Sequence, residues 1–238
     1  YYKKFVKSLK NQGFKLNPYD GCVANRTIRG NQHTVRFHVD DVMSSHQNKK
    51  VNDEFEDWLN KLYGEHGPVK SVRGKVHEYL GMTLDYNTTG VCKVSMPKYT
   101  KEILSEADIA MAECKGIKAS AAPKDLFTVI EESPKLSKRK KELFHSLVAK
   151  ILFATKRARP DTGTAISFLM TRVQESSQED WKKLGHLIKY LRGTQDLVLT
   201  LGARGDSVLR WWIDGSHGVH PNIRGHTGGG LSMGLGYP

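Results

Sequence analysis

Apolar side chains recur three and four residues apart in several stretches, the mark of helices that bury one face. Phe5, Val6 and Leu9 make a short stripe within residues 1–12, with Gly13 as its stop. Residues 51–63 set acids against Phe55, Trp58, Leu59 and Leu62, an amphipathic helix ending at Gly64. Pro97 sits where a first helical turn accepts proline, ahead of the stripe Tyr99, Ile103, Leu104 and Ala107. The longest stripe is Leu143, Phe144, Leu147, Val148, Ile151 and Leu152, with Ser137 as N-cap and Pro160 as stop. Asp161 and Ser177 can cap two further helices, the second carrying Trp181, Leu184, Ile188 and Leu191 before Gly193.

Between these stripes the pattern shifts to β-rich runs bounded by turn residues. Cys22–Ile28 and Thr34–Ser44 flank a turn at Arg29-Gly30-Asn31-Gln32, after an Asn17-Pro18-Tyr19-Asp20-Gly21 turn. Residues 76–85 and 91–95 flank Asn87-Thr88-Thr89-Gly90. Leu197–Leu201 and Val208–Asp214 follow the last helix, joined through Arg204-Gly205-Asp206, and Gly116–Pro134 reads as a loop. Strands first, helices in the middle and strands again make an α+β chain.

Composition narrows the class. The chain has 238 residues, 38% of them hydrophobic and 26% charged, a globular composition with no apolar run of the ~18 residues a membrane span needs. Cys22, Cys92 and Cys114 are odd in number and widely spaced, which excludes a disulfide scaffold or a zinc ribbon and fits a reducing compartment. No export signal is visible at the Tyr1 end, and both ends read as cuts in a longer chain. The net charge of +12 is uneven: residues 1–50 carry +7 and residues 96–160 carry +6, while 51–95 carry −2. Basic blocks of this kind fit a polyanion such as nucleic acid, or simply a soluble protein of high pI.

The sharpest chemical feature is Asp40-Asp41, two adjacent carboxylates within the β-prone segment Thr34–Ser44. Paired like charges on a half-buried strand repel unless a cation or hydrogen bonds compensate them. At a hairpin tip they offer hard oxygen ligands to Mg²⁺, with room left for phosphate, although aspartate is also common in plain solvated turns. Lys138-Arg139-Lys140-Lys141 opens the longest helix, where the helix dipole favours anions instead, so a phosphate partner would relieve the mismatch. His217, His220 and His226 contain a His-x-x-His element among glycines, but with no cysteine nearby they read as loop histidines.

Several motifs in one order carry a resemblance. They are Gly13-Phe14 with Asp20 and Cys22, then His38-Val39-Asp40-Asp41, Tyr79-Leu80-Gly81-Met82, Pro97-Lys98-Tyr99 with Ile103-Leu104, and Arg159-Pro160-Asp161. Trp212-Ile213-Asp214-Gly215-Ser216 and Thr227-Gly228-Gly229 complete the series. The chain resembles the second half of the palm, the thumb and the connection of a copia-type retrotransposon reverse transcriptase, running into the first strands of RNase H.

The resemblance implies four regions: a partial palm over 1–95, a thumb over 96–160, connection helices and a strand over 161–206, and the start of an RNase H-like domain over 207–238. It implies that Asp40 and Asp41 are catalytic metal ligands of an RNA-directed DNA polymerase using two Mg²⁺ ions. His38, Tyr79, Leu80, Gly81 and Met82 would meet the primer end, Lys138, Arg139, Lys140 and Lys141 the duplex phosphates, and Asp214 a metal of RNase H. The implied partners are an RNA/DNA primer–template, deoxynucleoside triphosphates and the remainder of the retroelement polyprotein, with no membrane. The implied location is a cytoplasmic retroelement particle or the nucleus.

The chain departs from the family pattern where His38 replaces the usual tyrosine and where a third, upstream carboxylate is missing. Beyond Asp214 no acid follows in the sequence. The isolated chain is therefore expected to bind primer–template without polymerising. The alternative is a non-catalytic, basic nucleic-acid-binding remnant of a retroelement.

Overall fold

The computed structural model describes residues 1–111, 114–202, 205, 208–220 and 223–234. The chain divides into two compact units, Tyr1–Leu80 and Gly81–Pro238, and its α+β class is as the hydrophobic pattern predicts.

In the first unit, α1 (Tyr2–Asn11) leads into β1 (Lys15–Leu16), β2 (Val23–Ile28), β3 (Asn31–His38) and β4 (Asp41–Ser45). α2 (Lys49–Tyr63) and β5 (Val76–Tyr79) follow. The strands β1 to β4 form an antiparallel sheet in chain order. Strand alternation decides which face is covered: Val35 and Phe37 point inward with Ala24 and meet Phe5, Leu9, Phe55 and Leu59 from the two helices, with Phe14 from the link between α1 and β1. The Phe5 and Phe37 rings meet edge to face at 5.0 Å, the arrangement that ring quadrupoles favour. Gly13, at φ 82, ends α1 as expected.

His33 lies at the centre of this core, fully buried. Its Nδ1 accepts from Arg26 Nε at 3.2 Å and its Nε2 is 2.8 Å from Ser44 Oγ. Burial, helped by the Arg26 charge and by His46, lowers its pKa to about 4, so the ring is neutral at pH 7.

The second unit contains β6 (Met82–Asp85), β7 (Val91–Ser95), α3 (Pro97–Met111), α4 (Lys138–Thr155), α5 (Gly163–Thr171) and α6 (Gln178–Gly193). Then come β8 (Leu199–Gly202), β9 (Arg210–Ser216) and β10 (His226–Ser232). β6 pairs with β7, β7 with β8, and β9 with β10, all antiparallel. The helices share a core of Ile103, Leu104, Phe144, Leu147, Ile151, Ile166, Phe168, Leu184 and Ile188. Ser177 caps α6 in a reciprocal box with Asp180. α6 ends on Gly193, where an added Cβ would lie 2.0 Å from the Ile117 carbonyl oxygen, so only glycine lets these two segments meet.

Several expectations need correction. The turn between β2 and β3 is Arg29-Gly30 alone, both at positive φ (49 and 80), while Asn31 and Gln32 pair with Ile28 and Thr27. The run 76–85 is not one strand but two, interrupted at Leu80-Gly81, both at positive φ (51 and 77). α4 stops at Thr155, before Pro160, because the amides of Arg157, Ala158 and Arg159 all turn back onto the Ala154 carbonyl. Ser137 occupies its N-cap position without a side-chain capping bond.

Asp161 caps no helix. Its carboxylate accepts from Arg159 Nε (3.0 Å) and Nη2 (2.8 Å) and from the Tyr190 hydroxyl (2.7 Å). Arg159, 3% exposed, also donates to the Thr194 carbonyl and hydroxyl. Burial would raise the Asp161 pKa, but the Arg159 and Tyr190 hydrogen bonds override it and hold it below the usual value. The turn expected at Arg204 and Asp206 lies outside the described residues. No helix among the described residues is long and apolar enough to cross a membrane.

Candidate functional site

β3 and β4 are joined by two residues, Val39 and Asp40, with His38 directly opposite Asp41. Val39 is at φ 53, and Asp40 is not among the residues of positive φ. A β-branched side chain in the left-handed region is sterically strained, on the order of 1–3 kcal/mol, and persists only where the surrounding structure enforces it. The enforcement lies directly beneath, since Phe37 is 2% exposed in the core and its amide donates to the Cys22 carbonyl at 3.0 Å. The tip itself is open: His38, Val39, Asp40 and Asp41 are all exposed.

Polar groups converge on that tip. The Tyr79 phenol has its pKa raised, first by burial and then by Asp41, Cys22 and Asp20, with Arg36 acting against them. Tyr79 therefore stands within electrostatic reach of Asp41. The Tyr1 phenol is likewise raised, by burial, by Tyr63 and by Asp40. Asp20 is already committed locally, since its Oδ1 accepts from the Cys22 amide at 2.8 Å. Arg36 shares the face of His38 and Asp41 because strand residues two apart point the same way; its Nη2 lies 2.9 Å from Met43 Sδ. The sequence reading missed Arg36, although the alternation Thr34, Arg36, His38 against Val35, Phe37 marks it.

Two exposed, adjacent carboxylates are hard oxygen donors that suit Mg²⁺, which binds through one or two carboxylates and keeps water or phosphate as its other ligands. Among the described residues no three His, Cys, Asp or Glu side chains gather as a complete metal cage. The donor set thus fits a cation whose remaining ligands come from a phosphorylated substrate.

The other sequence-derived residues are dispersed. Tyr79 and Leu80 end the first unit, and Gly81 and Met82 open the second. Of the basic cluster on α4, Lys138 and Arg139 are exposed, but Lys140 lies over the Trp181 ring at 5.5 Å and Lys141 donates to the Gln174 carbonyl. Lys138, Lys141, Glu142 and His145 line a shallow cavity of about 280 Å³ with Val173 and Gln174. Asp214 is exposed on β9, across from Gly228. His220 Nε2 is 3.3 Å from His226 Nδ1, and both rings pack on Phe127. Arg159 and Asp161 form the buried latch already described, which assigns this motif a structural task.

The chain is 25% identical over 97% of its length to a protein of Saccharomyces cerevisiae assigned to transposon Ty5-1, covering 72% of that protein. It is 23% identical over 90% of its length to the retrovirus-related Pol polyprotein from transposon TNT 1-94 of Nicotiana tabacum, of which it spans 16%. An uncharacterized mitochondrial protein of Arabidopsis thaliana is 25% identical over 66% of the chain, which spans 60% of it. These similarities support a retrotransposon origin. No family model matches the chain, and no solved structure matches it.

Proposed function

We propose that this protein is the carboxylate-doublet portion of a copia-type, RNA-directed DNA polymerase, extending a primer 3′ end with deoxynucleoside triphosphates. The observation that carries the reading is the strained β3–β4 tip, which holds Asp40 and Asp41 in the open on a rigid core. On this reading the first unit supplies part of a palm, α3 and α4 a thumb, α5, α6 and β8 a connection, and β9–β10 the start of an RNase H-like domain.

Asp40 and Asp41 are both exposed at the hairpin tip, open to an approaching triphosphate. The left-handed Val39 fixes the direction of the tip, so little reorganisation is needed when the substrate arrives. Two bound Mg²⁺ ions would supply charge neutralisation at the triphosphate and acidification of the primer hydroxyl. Tyr79, within electrostatic reach of Asp41, would meet the primer end, and His38 lies across the hairpin from the same carboxylate. Arg36, on the same strand face as His38 and Asp41, would be available to phosphate. Lys138 and Arg139 remain the freest of the α4 cations for duplex phosphates, a contact without sequence preference.

A second reading, a non-catalytic nucleic-acid-binding remnant, is favoured by the lack of a third carboxylate beside the doublet among the described residues. One experiment separates the two. A primer–template carrying a photoreactive group at the primer 3′ end is crosslinked to the purified chain with Mg²⁺ and the next nucleotide. The polymerase reading expects crosslinks at residues 38–41 and 79–82. Crosslinks confined to α4, indifferent to Mg²⁺, favour the remnant.

A further inference from the structure

The first fifty residues hold the larger basic excess, yet the carboxylate tip and the α4 cluster leave most of it unused. Its main source is α1, where Lys3, Lys4, Lys7 and Lys10 are all exposed and no acid occurs within the helix. Lys3, Lys7 and Lys10 fall at i, i+4 and i+7, one stripe along about 10 Å of helix, with Lys4 beside it. The opposite face, Phe5, Val6 and Leu9, is buried, so the stripe is anchored to a rigid core.

Such a stripe opposes helix stability. Like charges four residues apart repel, and lysines in the first turn face the positive end of the helix dipole. None of these ammonium groups makes a hydrogen bond or ion pair to a described residue. α2 in the same unit behaves differently, since its Asp53 and Glu56 are both engaged by Arg73. Lys140 and Lys141 on α4 are likewise engaged within the fold. Between this cluster and the one on α4, the α1 lysines combine alignment, exposure and freedom from partners among the described residues.

A second, independent feature lies at the start of the stripe. The Tyr2 hydroxyl donates to the Gly21 carbonyl at 3.1 Å, tying the Asn17–Gly21 turn to the first turn of α1. That turn is stiffened by the Asn17 side chain, which accepts from the Tyr19 and Asp20 amides at 2.8 and 3.3 Å. It carries Tyr19 at 97% exposure, an aromatic ring with no share in the core. A stiff turn presenting a bare ring next to aligned cations is the combination that single-stranded nucleic acid uses: phosphates along the charges, a base stacked on the ring.

We propose that α1 and the Tyr19 turn form a docking track for single-stranded nucleic acid, built on residues other than the carboxylate doublet and independent of the polymerase reading. An anionic membrane is the weaker partner, because the apolar face that an interfacial helix would insert into lipid is here buried in the core.

The test uses the full chain and a fluorescein-labelled twenty-nucleotide oligothymidylate, with binding followed by anisotropy across a salt series. Lys3→Gln, Lys4→Gln, Lys7→Gln and Lys10→Gln combined should weaken binding more than tenfold at low salt. The slope of log affinity against log salt should fall by about 3, at roughly 0.7 per lost phosphate contact. The same four positions changed to arginine should retain both affinity and slope, which excludes misfolding as the cause. Tyr19→Ala should weaken binding about tenfold with the slope unchanged, as expected for a lost stacking contact. Binding is measured without Mg²⁺, nucleotide or primer, all of which the polymerase reading needs, so failure of the polymerase reading and failure of this one are separable. An unchanged slope in the glutamine variant, or lysine-dependent binding to phosphatidylserine vesicles without binding to the oligonucleotide, would overturn the proposal.

Discussion

Two hairpins in this protein carry an aspartate that the reverse-transcriptase resemblance makes a metal ligand, and they are built on opposite terms. The β3–β4 hairpin lays one face on a core of phenylalanines and extends only its tip into solvent. The β9–β10 hairpin has Trp211, Ile213 and Leu231 aligned on one face by strand register, and Trp211 and Ile213 are 64% and 75% exposed. Asp40 and Asp41 thus sit on a support that can hold a strained backbone, whereas Asp214 sits on a two-stranded ribbon, an arrangement that is marginal on its own in water. Position within a motif is the same kind of information in both cases; what lies under the motif differs.

The largest expected effect tests that support. Phe37→Ala should cost about 3–5 kcal/mol, because it opens a cavity under the tip, whereas Ile213→Ala should cost less than about 0.5 kcal/mol at an exposed site. Urea denaturation read by Trp58 fluorescence, with Trp181, Trp211 and Trp212 changed to phenylalanine in the background, reports the first unit, since that ring packs on Phe55 at 5.3 Å, and pulse proteolysis reports the second. Equal losses at the two positions would erase the contrast.

His33 gives the next effect, through pH. The folded ring takes up a proton only near pH 4, whereas in the unfolded chain it does so near its ordinary value of about 6.5. Its contribution is therefore complete above about pH 6.5 and is lost as pH falls toward 4, up to about 3 kcal/mol in all. Urea midpoints of the first unit measured from pH 7.5 to 4.5 should show this fall, and His33→Gln should flatten it.

Val39→Gly is the smallest change and sharpens the comparison most. It removes the steric strain of a left-handed valine but adds chain entropy to the unfolded state, for a net gain of about 1 kcal/mol in stability. The tip also becomes freer, so nucleotide-dependent crosslinking at residues 38–41 should weaken while the unit becomes more stable. Loss of stability instead would mean that the valine side chain is itself held by the fold.

Much of the architecture was legible in sequence because it rests on local rules. Stripes such as Leu143 to Leu152 could bury only as helices, and Ser177 stood as a cap just ahead of the α6 stripe. The misreadings came where distant partners decide the outcome. Asp161 looked like a cap, but Tyr190 and a buried Arg159 claim its carboxylate. Lys140 and Lys141 looked free until Trp181 and Gln174, thirty to forty residues on, engaged them. Nothing in a valine announces positive φ; only the two-residue connection between β3 and β4 forces it. The doublet itself was visible as a charge anomaly, while its flanking Tyr1, Arg36 and Tyr79 became apparent only once strand pairing and loop placement were known.

The central claim is that Asp40 and Asp41 together bind a divalent cation at the hairpin tip. Iron-mediated backbone cleavage tests it directly, with Fe²⁺ in place of Mg²⁺ and with primer–template and nucleotide present. The account predicts cuts clustered within residues 38–42, suppressed by excess Mg²⁺ and lost in Asp40→Asn and Asp41→Asn. Cuts elsewhere in the chain, or cuts at the tip that survive both substitutions, would contradict it.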